Sequence, residues 1–222
     1  MKKNITFVLV LLLLVVVVFA LTACDSFQIP GKVDSNSSNE GSNTLASVDP
    51  NAPTPDDCFY FNLLEDGTYE IFACYYDMPK RIVIPSSYNG KAVTQIGEYF
   101  GNGSSSATKI RSVNEIVLPN SITSIEEGAF AGYVRLKSVS LSENITVLKR
   151  NVFWRCLELS SVTISAKVTK IEESAFMSCK SLTDINYGGT IAQWNAIEKE
   201  ESWDSNTGEY TVHCIDGDIA KA

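Results

Sequence analysis

From Ile116 onward the chain repeats itself every 23 residues, and this limits the fold more than any other feature. Ile116-Val117-Leu118, Val139-Ser140-Leu141, Val162-Thr163-Ile164 and Ile185-Asn186-Tyr187 open successive units. Ile122, Ile145, Val168 and Ile191 form one column; Ile125, Leu148, Ile171 and, with a change of type, Trp194 form the next. Thr123, Thr146 and Thr169 share a column, as do Phe130, Phe153 and Phe176, then Tyr133, Cys156 and Cys179, then Leu136, Leu159 and Leu182. A unit this short cannot enclose a core of its own, so its apolar columns must be buried by stacking on neighbouring units. The prediction is a solenoid with a short strand at each opening triplet and a second near Thr-x-Ile/Leu. A helical turn is expected at Glu126–Ala131 and its equivalents, with the phenylalanines stacked as a core ladder.

A period in the twenties with fixed aliphatic positions signals leucine-rich repeats. Leu118-Pro119-Asn120-Ser121-Ile122-Thr123-Ser124-Ile125, then Gly128-Ala129-Phe130 and Leu136, resembles the BspA-like leucine-rich-repeat family. That family's pattern runs aliphatic-Pro, Val/Ile-Thr, Ile, then Ala-Phe, Cys and Leu; Tyr133 and Val152 depart from it. Ile84-Pro85, Val93-Thr94-Gln95-Ile96-Gly97 and Phe100 resemble an earlier, looser unit, lengthened at Ser86–Ala92 and Gly101–Thr108. Gly189–Ile197 resembles the family's degenerate last unit and is expected to cap the solenoid, because terminal repeats must cover an exposed core. The resemblance spans Ile71 to Asp216. It implies a leucine-rich-repeat solenoid of short parallel strands with helical turns. It also implies an interaction module outside the cell, with a protein or glycan ligand, in adhesion or surface recognition.

Ahead of the repeats, Cys58-Phe59-Tyr60-Phe61-Asn62-Leu63-Leu64 and Thr68-Tyr69-Glu70-Ile71-Phe72-Ala73-Cys74 flank Glu65-Asp66-Gly67. Aromatic and β-branched runs around a Gly-containing turn predict an antiparallel β-hairpin. A three-residue loop with Gly67 left-handed makes a G1-bulge turn. Phe59–Ala73, Phe61–Ile71 and Leu63–Tyr69 then share one face, and Cys58 opposes Cys74 on the other, close enough for a disulfide. Cys156 and Cys179, in one column on adjacent rungs ~4.8 Å apart, also permit a bond, but buried free thiols are ordinary there. The preferred pairing is Cys58–Cys74, with Cys156, Cys179 and Cys214 free.

The N-terminus carries Lys2 and Lys3, then an apolar run from Ile5 to Leu21 interrupted by Thr6. This is a secretory signal by its pattern; its length alone would also suit a membrane span. Leu21-Thr22-Ala23-Cys24 resembles the lipobox of bacterial lipoproteins. The resemblance implies cleavage before Cys24, diacylglycerol on its sulfur and an acyl chain on the new amino terminus, hence a membrane anchor outside the cytoplasm. Asp25 after the lipidated cysteine resembles an inner-membrane retention signal in a two-membrane envelope; with a single membrane the protein faces outward. Asp25–Asp57 is rich in Ser, Asn, Asp, Gly and Pro, and its stretch Asp34–Asn43 cannot bury enough apolar surface to offset its ordering entropy, so the segment reads as a flexible tether. The domain reading is therefore 1–23 signal, 24–57 lipidated cysteine and flexible tether, 58–217 repeat domain and 218–222 tail. Within the repeat domain, 58–80 is the hairpin cap, 81–115 a degenerate repeat, 116–184 three full repeats and 185–217 the C-terminal cap.

Removal of residues 1–23 leaves 16 basic against 26 acidic residues, a net charge of about −10. Such a chain is repelled by phosphate backbones, so nucleic acid is not an expected partner. His213 is the one histidine, in a strand-like Tyr210–Cys214 segment, and reads as structural. No zinc-type ligand cluster or phosphate loop occurs. Glu126-Glu127 and Glu172-Glu173 recur with the repeat, but Lys149-Arg150 takes their columns between them, as solvated turn positions tolerate and an acid–base pair would not. No catalytic or metal-binding residues are assigned, no cofactor is expected beyond the lipid on Cys24, and the chain is not expected to be an enzyme. Two functions stay open: an interaction module with an external ligand, and a structural cell-envelope lipoprotein without one. Trp154 follows an inward phenylalanine and should lie on the outer turn, either as a partner contact or packed flat over its neighbours.

Overall fold

The computed structural model describes residues 52–73, 78–100 and 112–221. Cys24, the lipobox and most of the tether lie outside these residues, as does Cys74. The N-terminal hairpin pairs β1 (Phe59–Leu63) with β2 (Tyr69–Ala73) in the expected register, Phe59 opposite Ala73, Phe61 opposite Ile71 and Leu63 opposite Tyr69. Gly67 is left-handed (φ +83°), and the Asp66 carboxylate accepts from the Thr68 amide and hydroxyl, which closes the bulged turn. Phe59, Ile71 and Ala73 are buried; Leu63 at the tip is exposed. Ordered packing begins ahead of Cys58. Thr54 is buried, its amide donates to the Val83 carbonyl at 2.9 Å, and its hydroxyl accepts from the Val83 amide at 2.9 Å.

The chain then winds into rungs. One wall is a sheet of β3 (Arg81–Val83), β6 (Glu115–Val117), β8 (Ser138–Ser140), β10 (Ser161–Ile164), β12 (Asp184–Tyr187) and β14 (Thr211–Cys214), all parallel, with β15 (Gly217–Ala220) antiparallel at the end. β10 holds its whole predicted triplet, while β6 and β8 begin one residue earlier and stop before Leu118 and Leu141; the register is kept throughout, Val162 beside Val139 and Ile185. A second wall carries β5 (Lys91–Ile96) and β7 (Ser124–Ile125), and further along β9 (Val147–Leu148), β11 (Lys170–Ile171) and β13 (Glu198–Lys199). β2 joins β5 in parallel, so the hairpin caps this wall. Between β3 and β5, β4 (Ser87–Tyr88) folds back on Lys91–Ala92. Asn89 and Gly90, both at positive φ, make the tight turn that this hairpin needs.

The corners expected as helical turns are runs of tight turns. Along Asn151–Cys156 the amides of Val152, Trp154 and Cys156 close onto the carbonyls three residues back. Those of Asn151, Phe153 and Arg155 reach the next rung, at the carbonyls of Glu173, Ala175 and Met177. This alternation requires left-handed residues at two positions four apart, which a helix cannot contain. They are Gly128 and Gly132, Asn151 and Arg155, Ser174 and Ser178, then Ser202 and Asn206. The corners thus become a third hydrogen-bonded wall.

The core follows the predicted columns. Phe100, Phe130, Phe153 and Phe176 are fully buried, with successive ring centroids 5.9, 5.6 and 5.2 Å apart. The last rung departs from the 23-residue period. Glu198 and Lys199 pair with Lys170 and Ile171, so Lys199, not Trp194, stands beside Ile171. The extra residues form α1 (Ile191–Ala196), started by a capping box between Thr190 and Gln193. Ile191 opens this helix half-buried, while Ile197 is buried. Trp194, Trp203 and Tyr210 pack edge to face with centroids 6.2 and 6.1 Å apart, covering the end of the core. The expected tail at 218–222 is likewise corrected: Asp218, Ile219 and Ala220 belong to β15, paired with His213, Val212 and Thr211.

Candidate interaction surface

Inward residues of the first wall are aliphatic, so alternate residues face outward. Along β8, β10 and β12 these are Ser138 and Ser140, Ser161 and Thr163, Asp184 and Asn186, while β6 turns Glu115 and Val117 outward. The face is small, polar and uncharged at its centre. Its ends are charged and internally paired. At one end Arg81 meets Glu115 at 2.9 Å. At the other, His213 Nε2 lies 2.9 Å from an Asp184 oxygen and Nδ1 lies 3.0 Å from an Asp218 oxygen. Hydrogen bonds to Asp184, then to Asp218, raise the His213 pKa. Asp184 is lowered by Thr183 and by His213. With both ring nitrogens held by carboxylates, His213 has none free to take a proton from a nucleophile. It joins β12, β14 and β15, in keeping with a structural role.

The second wall explains the charge swap that the sequence presents only as tolerated. Lys149 Nζ lies 2.6 Å from a Glu126 oxygen, Arg150 3.4 Å from Glu173, and Lys170 2.7 Å from Glu200. The Arg150 amide also donates to Glu172 and the Glu173 amide to Glu200. The sign alternates across the three full repeats, so that unlike charges stack in one column; in the last rung Glu200 follows Glu172, and Lys170 lies against both carboxylates.

The Tyr133–Cys156–Cys179 column also has a polar task. The Tyr133 hydroxyl donates to the Phe100 carbonyl at 2.6 Å, Cys156 Sγ to Phe130 at 3.2 Å and Cys179 Sγ to Phe153 at 3.1 Å. All three side chains are fully buried. Tyr133 thus does what a cysteine does elsewhere, reaching back across the longer first rung. Burial pushes the Tyr133 and Cys156 pKa values up. Cys156, Cys179 and Cys214 are free thiols. Cys58, half-buried at the end of a short 3-10 turn (Asp56–Cys58) just before β1, is likewise a free thiol, and its expected partner Cys74 lies outside the described residues.

Trp154 sits on the outer corner, as expected, and is 37 % exposed. The Arg155 guanidinium carbon lies over its ring, 5.4 Å from the centroid. The sequence alone does not single out Arg155. Among the described residues there is no group of three His, Cys, Asp or Glu placed to hold a metal, and no helix long and apolar enough to cross a membrane.

Residues 102–200 match, in six copies, the sequence pattern described as the BspA type leucine rich repeat region. No curated protein matches the chain. Among solved structures it is similar to a leucine rich repeat protein of T. pallidum, at 20 % identity and a TM-score of 0.58, covering 72 % of this chain and 71 % of that one. It is also similar to a leucine rich cell surface protein of Faecalibacterium prausnitzii A2-165, at 23 % identity and a TM-score of 0.51, covering 67 % of this chain and 42 % of that one. A leucine-rich repeat protein of Bacteroides ovatus gives 22 % identity and a TM-score of 0.51, covering 72 % and 40 %. At these identities the likeness establishes the fold.

Proposed function

We propose that this chain, whose repeat region is of the BspA leucine-rich-repeat type, displays its solenoid outside the cytoplasm as a protein-interaction module, held to a membrane by lipid on Cys24. One observation carries the reading: the strand wall from β8 to β12 turns hydroxyl and amide side chains outward, with Asp184 at its edge, and Ser140, Thr163 and Asn186 stay exposed along it. A wall repeated at rung spacing and left open offers an extended surface to a partner. The lipobox residues Leu21-Thr22-Ala23-Cys24 support display at a membrane. So does the likeness to a protein described as a leucine rich cell surface protein. Adhesion or surface recognition is the use that suits such a module.

The test is binding of the purified full chain to a panel of purified extracellular matrix proteins and, separately, to the producing cell's own envelope extract. Saturable binding to a matrix protein is the expected result. Binding confined to the envelope extract would favour a structural envelope lipoprotein. No saturable binding to either would overturn the interaction reading.

A further inference from the structure

We propose that Trp154 and Arg155, adjacent on the corner of the middle full repeat, dock an acidic segment of a partner protein whose carboxylates are flanked by apolar side chains. This rests on the interaction-module reading and names the partner's chemistry. The first observation is conformational. Arg155 has φ +58°, in a column where other rungs place Gly132, Ser178 and Asn206. Glycine and asparagine adopt this left-handed backbone readily, whereas a long side chain is disfavoured there. The second is that this guanidinium makes no ion pair or hydrogen bond among the described residues, while Lys149, Arg150 and Lys170 on the neighbouring wall all have carboxylate partners. The third is that the adjacent indole stays 37 % exposed, although Ala131 in the same column is buried. The fold therefore requires neither side chain, and keeping both runs against local preference, as functional positions do.

Charge identifies the partner. The Arg155 cation, unlike Lys149, Arg150 and Lys170, is not matched by a carboxylate among the described residues, and it stands in a chain of net charge −8. An acidic segment is attracted to this unmatched cation and repelled by the acidic remainder of the chain. A guanidinium binds a carboxylate through two parallel hydrogen bonds, and tryptophan and arginine are both enriched at binding hot spots. With the guanidinium over one face of the indole, less ring is open for a sugar to stack on, and this favours a peptide over a glycan.

The experiment measures the full chain, by fluorescence anisotropy, against a labelled capped peptide of alternating Glu and Leu, its Gln-for-Glu counterpart and an oligogalacturonate. The Glu/Leu peptide should bind, the Gln counterpart at least about tenfold more weakly. Arg155→Gly should lose at least about tenfold in affinity while melting at the same or a higher temperature, because glycine suits the left-handed corner. Trp154→Ala should also weaken binding. The proposal is overturned by absence of binding, by equal binding of the Gln peptide, by unchanged affinity in Arg155→Gly, or by tighter binding of oligogalacturonate. If Arg155→Gly still binds the matrix panel like the wild type, this proposal alone falls and the interaction-module reading stands.

Discussion

Removing the Phe153 ring should destabilise the domain by ~4–5 kcal/mol, the upper part of the range for emptying an aromatic core site. Phe153 is fully buried, with Phe130 stacked 5.6 Å away on one side and Phe176 5.2 Å away on the other. Phe153→Ala therefore loses two ring contacts worth ~0.5–1.5 kcal/mol each beyond the area they bury. It also leaves a cavity that cannot readily collapse. Closing it would bring three rungs together, yet their spacing is set by backbone hydrogen bonds from Phe130 to Val152 at 3.0 Å and from Phe153 to Ala175 at 2.8 Å. A solenoid this short has few interfaces to share the loss, so the transition should move as a whole. Urea unfolding followed by circular dichroism, with Phe153→Leu as the volume-sparing control, gives the comparison. A loss below ~1 kcal/mol for Phe153→Ala would mean that the phenylalanine column is not core, and the rung register would be wrong.

Three further outcomes follow from the polar column and the terminal clasp. Tyr133→Phe leaves the buried Phe100 carbonyl without its 2.6 Å donor and should cost ~1–3 kcal/mol in the same unfolding assay; an unchanged midpoint would contradict that role. Native-state alkylation followed by peptide mapping should modify the half-buried Cys214 and spare the fully buried Cys156 and Cys179 until denaturant is added; labelling of Cys156 at the Cys214 rate would contradict the burial. Because its carboxylate partners raise the His213 pKa, the stability that it contributes is complete below the ordinary histidine value of about 6.5 and is lost as pH rises through the raised value. The melting temperature of His213→Gln should therefore decline less than that of the wild type between pH ~6.5 and the alkaline side; parallel curves would exclude the clasp.

Side chains that recur in columns are legible in the sequence, and those that solve a local backbone problem are not. The apolar columns and the turn at Gly67 determine the rung register, the phenylalanine ladder and the hairpin pairing, because burial and turn chemistry leave little choice. The corners are hidden because glycine marks both left-handed positions only once, at Gly128 and Gly132; the next two units use Asn151, Arg155, Ser174 and Ser178. Trp194 is misplaced by carrying a fixed period into a rung where α1 inserts extra residues between Ile171 and its neighbour Lys199. The Asn89-Gly90 turn is readable by its dipeptide, but against the repeat register Ser86–Ala92 reads only as a lengthened loop. Glu126, Lys149 and Glu172 look like indifferent surface positions until stacking sets them one above another.

The proposed membrane display would depend on Cys24, and metabolic labelling with an alkyne fatty acid tests it most directly. The wild-type chain and a Cys24→Ser variant are expressed in the same bacterial host, separated into membrane and soluble fractions and probed for the alkyne. Label on the wild type in the membrane fraction, with none on Cys24→Ser, is the predicted result. Equal labelling of the two, or an unlabelled wild type, would contradict the lipid anchor.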